Sequence, residues 1–136
     1  MATIKLISEM EATPEVNEVF EDVKQHFNLD FVPNVFKAMA NNPDALMQGW
    51  NQLKAIEESW GKEMTYLLSL AVDITNGCDY CINFDTAVLK QLGWDDRKIE
   101  MLVSFISMND SYNKYVQGLS LEPDVTPEVM ERRMAA

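Results

Sequence analysis

Apolar residues recur every three or four positions along most of the chain, which is the spacing of one face of a helix. The first such series follows Thr13-Pro14-Glu15, where a capping hydroxyl precedes a proline and an acidic residue, as at many helix starts. Its apolar members are Val16, Val19, Phe20, Val23 and Phe27. The sequence contains no sustained alternation of apolar and polar residues of the kind that indicates strands. The pattern therefore predicts an all-α fold.

The same signals predict the remaining helices. Pro33 permits a short helix through Met39, and Asn42-Pro43-Asp44 begins a longer one that reaches Trp60, just before Gly61. Further helices are expected over about residues 62–76, 78–92, 95–108, 110–117 and 127–135. The helix over 62–76 carries apolar residues around most of its circumference, so it is predicted to be central and buried.

Length and charge narrow the class of protein. The chain has 136 residues, which predicts a single domain large enough to bury a core of its own. Its formal net charge of −11 argues against nucleic acids and anionic membranes as partners, because both would repel it. The N-terminal residues do not resemble a signal peptide, and no apolar stretch reaches the ~18 residues of a membrane span. A cytoplasmic location is expected.

The only two cysteines, Cys78 and Cys81, form a C-x-x-C pair at the predicted junction of two helices. This spacing allows the sulfur atoms to form a disulfide, and a helix N-terminus lowers the pKa of a thiol. A redox-active dithiol is therefore the leading interpretation. Half of a zinc site and two inert core thiols are the alternatives, although zinc needs two more ligands and the single histidine, His26, lies far upstream. No metal and no organic cofactor are expected.

Three stretches of the chain resemble a known family. They are FVPNVFKAMANNPDAL over residues 31–46, Leu70-Ala71-Val72, and NGCDYC over residues 76–81. Together they resemble the carboxymuconolactone decarboxylase-like family, and more closely its alkylhydroperoxidase D-like, peroxidase-related branch. The resemblance implies one all-α domain with a core over about residues 10–117 and a helical hairpin that carries the cysteines. It also implies assembly into homo-oligomers (dimers, trimers or hexamers).

The resemblance further implies antioxidant thiol chemistry and a role for each cysteine. Cys81 would attack a hydroperoxide or disulfide substrate, Cys78 would close the disulfide, and a thiol reductant protein would recycle the pair. The family has a histidine four residues after the second cysteine and a glutamate twelve residues before the first. Here those positions hold Asp85 and Tyr66, so both members of the usual proton relay are replaced.

The replacements change what the site can do. Asp85 lies one helical turn after Cys81, where an ionised carboxylate would raise the pKa of the thiol. Tyr66 is a weak base, and its hydroxyl is expected to be tethered in the core. Glu63 and Asp73 lie on the same predicted helix as Tyr66 and are further candidates for the lost acid–base group.

Neither His26 nor Tyr80 is expected to take part in the chemistry. His26 falls near the end of the first helix, where the helix dipole favours a cation, and this position explains the residue without a catalytic role. Tyr80, between the two cysteines, is expected to pack in the core.

Three functions follow from these observations. The first is an enzyme, a thiol oxidoreductase that uses Cys78 and Cys81. The alternative is a non-catalytic or regulatory oligomeric protein that keeps the helical fold while its proton relay has decayed. A lactone-acid decarboxylase is the least favoured, because that chemistry does not need a thiol pair and an acidic chain is a poor host for an anionic substrate.

Overall fold

The structure, a computed structural model, describes residues 1–135. Within that range the chain forms seven α-helices and no strand, which confirms the predicted all-α class. In chain order they are α1 (Pro14–Phe27), α2 (Asn34–Met39), α3 (Pro43–Trp60), α4 (Lys62–Asn76), α5 (Asp79–Gln91), α6 (Asp96–Gly118) and α7 (Pro127–Met134). No helix in this range is long and apolar enough to cross a membrane.

Helix α1 and helix α3 begin where the sequence predicted, and the capping side chains explain why. The side chain of Thr13 accepts a hydrogen bond from the backbone N–H of Val16, and that of Asn42 accepts one from Ala45. Each cap satisfies a backbone donor that the first helical turn leaves free. At the other end of α1, Asn28 adopts the left-handed conformation with a φ of 53° and ends the helix.

The hydrophobic core lies between α1, α3, α4 and α5, with α2 closing one end. Aromatic rings dominate it, and Phe27 contacts four of them. The four rings belong to Phe36, Trp50, Tyr66 and Phe84, with centroid distances from 5.0 to 6.3 Å. The last three apolar positions of the α1 series, Phe20, Val23 and Phe27, are all buried.

Helices α4 and α5 form a tight hairpin, and this hairpin positions the cysteines. Gly77 ends α4 in the left-handed conformation with a φ of 71°, which residues with a side chain rarely adopt. The turn lets the N–H of Cys78 donate to the carbonyl oxygen of Asp73 at 3.0 Å. Cys78 then becomes the N-cap of α5, one residue before the helix begins.

Two predictions about the helices are wrong. Residues 95–108 and 110–117 were expected to form two helices, but they belong to one continuous helix, α6, which passes through Asn109 and Asp110. The Asn109 side chain instead donates to the carbonyl of Phe105, at 3.0 Å within the helix. Helix α4 was expected to be buried on most sides, yet its outer face is exposed. That face consists of Met64, Leu68 and Val72.

Candidate redox site

The two cysteines are joined by a disulfide at the start of α5, with their Cα atoms 5.3 Å apart. Sγ of Cys78 also accepts a hydrogen bond from the backbone N–H of Cys81 at 3.3 Å. Cys81 lies in the first helical turn, where free N–H groups and the helix dipole favour negative charge. The pair is therefore placed where a thiolate is stabilised once the disulfide is reduced.

A cavity of about 210 Å³ lies against Cys81. Helices α4 and α5 and the segment around α2 supply most of its wall, which is largely aromatic and aliphatic. Its lining residues are Phe27, Val35, Phe36, Leu53, Tyr66, Ser69, Asp73, Tyr80, Cys81, Phe84 and Asp85. The cavity thus brings together three of the four predicted site residues, and it adds Asp73 to them.

Asp85 faces this cavity and is almost fully buried, with 4% of its surface exposed. Burial raises the pKa of its carboxyl to about 7, and the hydroxyl of Ser69 opposes that rise. The neighbouring carboxylate of Asp73 raises the pKa further. A carboxyl group that titrates near pH 7 can both give and take a proton under ordinary conditions.

Asp73 is the second acid of the cavity, whereas Glu63 is not part of it. Oδ2 of Asp73 is buried, and within residues 1–135 no hydrogen-bond partner reaches it. Glu63 is exposed and accepts a hydrogen bond from the indole N–H of Trp94. Of the two acids considered as substitutes for the lost relay group, the fold therefore places only Asp73 near Cys81.

Tyr66 is buried beside the cavity, but the expectation of a tethered hydroxyl is wrong. In the described part of the chain, its hydroxyl oxygen has no hydrogen bond of good geometry. The pKa of Tyr66 is raised well above its usual range, first by burial and then by the carboxylates of Glu57 and Asp85. The phenol therefore stays neutral, so it can donate a hydrogen bond but cannot serve as the base.

Buried Glu57 and half-buried His26 form a second polar pair that sequence reasoning missed. Nε2 of His26, in the last turn of α1, lies 2.6 Å from Oε2 of Glu57 on α3. Glu57 is only 8% exposed. The signal was present in the sequence, because Glu57 follows Trp50 by two helical turns and so falls on the apolar face of α3. His26 does not line the Cys81 cavity.

Tyr80 was expected to pack in the core, but it is 46% exposed. Its hydroxyl oxygen accepts a hydrogen bond from the backbone N–H of Val35 at 3.2 Å and so ties the start of α5 to α2. A larger, mostly apolar cavity of about 680 Å³ shares Phe27, Tyr80 and Phe84 with the cavity at Cys81. Tyr80 therefore lines both cavities, and its hydrogen bond to α2 holds its ring in place there.

A metal site has no support in the arrangement of side chains. Across residues 1–135, no group of three or more histidine, cysteine, aspartate and glutamate side chains is arranged to hold a metal ion. The acids near Cys81 belong to a cavity whose wall is mainly apolar.

Comparisons with known proteins agree with this fold and hairpin. The model of the carboxymuconolactone decarboxylase family matches residues 40–116, which is more than half of the chain. A crystal structure of the alkylhydroperoxidase AhpD core from Rhodospirillum rubrum superimposes with a TM-score of 0.83 at 29% sequence identity. The match covers 91% of this chain and 95% of that one, while no curated protein matched. The chain therefore belongs to the carboxymuconolactone decarboxylase family and has the fold of its AhpD-like members.

Proposed function

We propose that the protein is a thiol-dependent oxidoreductase that cycles Cys78 and Cys81 between dithiol and disulfide. The observation that carries the proposal is the disulfide at the N-terminus of α5, next to a cavity that holds a carboxyl group with a pKa of about 7. Membership of a family with AhpD-like relatives supports it. The substrate class is a disulfide or a hydroperoxide.

The chemistry with a disulfide substrate needs only the two thiols and a proton donor. The Cys81 thiolate attacks one substrate sulfur, forms a mixed disulfide and releases the other substrate sulfur as a thiolate. Cys78 then attacks Sγ of Cys81, closes the Cys78–Cys81 disulfide and releases the second substrate sulfur as a thiolate, which takes a proton from solvent. The protein dithiol is oxidised, the substrate disulfide is reduced to two thiols, and an external dithiol returns the protein to its starting state.

A hydroperoxide would react in a similar way but depends more on proton transfer. The Cys81 thiolate would attack the outer peroxide oxygen, become a sulfenic acid and expel an alkoxide that must take a proton. Cys78 would then displace the hydroxyl of the sulfenic acid, so that the disulfide and water form. Because the family histidine and glutamate are replaced by Asp85 and Tyr66, disulfide exchange is the favoured reaction.

Cysteine variants test the proposal. With dithiothreitol as the electron source, we expect Cys81→Ser to abolish the protein-catalysed rate, above that of dithiothreitol alone, for the reduction of both oxidised glutathione and cumene hydroperoxide. Reduced Cys78→Ser, treated with oxidised glutathione after removal of dithiothreitol, should stop after one step, and mass spectrometry should find the glutathione adduct on Cys81. Asp44→Asn, an exposed change at the start of α3, is the matched control. Equal turnover by wild type and Cys81→Ser would refute the proposed activity.

We also propose that the chain assembles into a homo-oligomer through α6, α7 and the outer face of α4. Of the residues of α6, all of which the structure describes, only Ile106 is buried. Large exposed apolar residues cover these three helices: Met64, Leu68, Val72, Met101, Val103, Phe105, Met108, Tyr112, Tyr115, Val116, Met130 and Met134. Such a surface is typical of a protein interface. Light scattering should give a mass above the 15.6 kDa of one chain.

A further inference from the structure

Three residues that line the cavity beside Cys81, Tyr66, Asp73 and Asp85, each carry a buried oxygen without a hydrogen-bond partner in the described chain, and two of these oxygens are carboxylate oxygens. Within residues 1–135, five buried side-chain nitrogen or oxygen atoms have no hydrogen bond of good geometry: His26 Nε2, Glu57 Oε1, Tyr66 Oη, Asp73 Oδ2 and Asp85 Oδ2. The two aspartate atoms belong to residues that line the same cavity. Ionised carboxylates are acceptors only, so two of them cannot satisfy one another.

No cationic side chain of the described residues lines the cavity beside Asp73 and Asp85. Helix α4 contributes Tyr66 and Ser69 beside Asp73, and α5 contributes Cys81 beside Asp85. From α2 the cavity receives only apolar side chains, and no lysine, arginine or histidine of the described chain lines it. Two like charges in such a place cannot both be stable, because burial weakens their hydration and nothing nearby neutralises them.

The basic groups of α1, α3 and α4 that are named here, His26, Lys54 and Lys62, have partners elsewhere. His26 on α1 contacts Glu57 on α3, at 2.6 Å. Lys62 donates a hydrogen bond to the backbone oxygen of His26 at 2.9 Å, and Lys54 binds Asp22 at 2.6 Å. A proton is therefore the one positive charge that remains for the pair of aspartates.

We propose that Asp73 and Asp85 share a single proton and that this carboxyl pair is the acid–base group for Cys81. One proton converts one of the two acids into a donor, so it satisfies both orphan oxygens and removes one negative charge at the same time. The inference deepens the proposed oxidoreductase function and rests on it for its catalytic part. In place of a histidine that becomes a cation, the site uses a carboxylic acid that is kept neutral.

The proton of the pair has a defined place in disulfide exchange. When the Cys81 thiolate attacks, the carboxyl pair gives its proton to the leaving substrate thiolate, and both acids are then ionised. The ionised pair is a strong base in its apolar surroundings, so it takes the proton of the Cys78 thiol. Cys78 attacks Sγ of Cys81 as a thiolate, the Cys78–Cys81 disulfide forms, and the second substrate sulfur leaves as a thiolate that takes its proton from solvent. The carboxyl pair ends with the one proton with which it began.

Infrared spectroscopy of the oxidised protein tests the shared proton without any turnover. The wild-type chain should show the carbonyl band of a protonated carboxyl group that disappears with a midpoint near pH 7. Asp85→Asn should lose this band. Asp73→Asn should move the midpoint to lower pH, because Asp73 contributes to the raised pKa of Asp85. Asp44→Asn, which removes an exposed acid, should match the wild type.

The outcomes separate the inference from the proposed function. Absence of the band from wild type below pH 7, or an unchanged midpoint in Asp73→Asn, would overturn the shared proton. If the band behaves as expected, then loss of the second ionisation from the pH profile of Cys81 alkylation in Asp85→Asn supports the acid–base role. A present band with no turnover of any disulfide or hydroperoxide would refute the oxidoreductase but keep the carboxyl pair. Because the first measurement uses wild type, a variant that fails to fold does not prevent the test.

Discussion

Two almost fully buried carboxylates within residues 1–135, Glu57 and Asp85, differ in the nature of their partner. Glu57 and Asp85 are comparably buried, at 8% and 4% exposure. The partner of Glu57 is an imidazole, whose Nε2 lies 2.6 Å away, whereas the partner of Asp85 is another acid, Asp73. An imidazole can donate a hydrogen bond to a buried carboxylate, whereas a second acid can do so only by holding a proton.

This difference indicates a structural role for the pair of Glu57 and His26 and a role in proton transfer for the pair of Asp73 and Asp85. The pair of Glu57 and His26 joins α3 to α1 and does not line the cavity at Cys81, although Glu57 lies close enough to Tyr66 to raise its pKa. The pair of Asp73 and Asp85 lines that cavity, and there the pKa of Asp85 is raised to about 7. Equal burial therefore does not indicate equal roles, because the partner decides whether the proton of the acid is available for transfer.

The largest expected effect comes from replacing one acid of the Asp73–Asp85 pair with histidine, so that it becomes a pair of an acid and a base like Glu57 and His26. In Asp85→His, the imidazole would face the carboxylate of Asp73 and could take the Cys81 proton as a base. We expect a lower pKa for Cys81 and a gain in hydroperoxide turnover of about 10²–10⁴-fold, the usual contribution of a positioned acid–base group. Hydroperoxide consumption and pH-dependent alkylation of Cys81 measure the two effects.

Asp85→Asn is the control for this gain. It removes the carboxylate without adding a base, so the pKa of Cys81 should fall while hydroperoxide turnover stays low. If wild type and both variants share one thiol pKa, Asp85 does not act on the sulfur, and the proposed chemistry of the cavity is wrong.

Breaking the pair of Glu57 and His26 should lower the stability of the protein and leave the reactivity of Cys81 unchanged. Glu57→Gln leaves His26 without its carboxylate partner, and we expect a loss of about 1–3 kcal/mol in the free energy of unfolding, the usual cost of a polar group that loses its partner. Urea denaturation measures this loss, and Glu58→Gln, an exposed neighbour on the same helix, should change stability by less than about 0.5 kcal/mol. The pH profile of Cys81 alkylation should stay as in wild type. A shifted profile would show that both pairs belong to one relay.

The smallest expected effect is a dependence of stability on pH. The folded-state pKa of Asp85, about 7, lies above its ordinary value of 3.8, so the folded protein retains a proton that the unfolded chain loses. Its contribution to stability is full below pH 4 and is lost as the pH rises through 7. Between about pH 6 and about pH 8 we expect a decrease of about 1 kcal/mol, and Asp85→Asn should lack it. Urea midpoints at several pH values test this, and equal slopes in both proteins would contradict the raised pKa.

Several features of the site were accessible from local sequence. The helix that follows Cys78 and the turn at Gly77 follow from residue types and short spacings. Asp85 was expected one helical turn from Cys81, and both residues line the same cavity. These relations hold within one helix or one turn, where backbone geometry sets the separation.

The tertiary structure decided the rest, because the remaining relations join different helices. Asp73 and Glu63 lie on one helix, and the sequence offered both as substitutes for the lost acid–base group. In the folded chain Asp73 lines the cavity with Cys81, whereas Glu63 accepts a hydrogen bond from Trp94. The contact of His26 with Glu57 depends on how α1 packs against α3. Spacing along a helix states which residues share a face but not what that face meets, and the environment that raises the pKa of Asp85 exists only after the helices have packed.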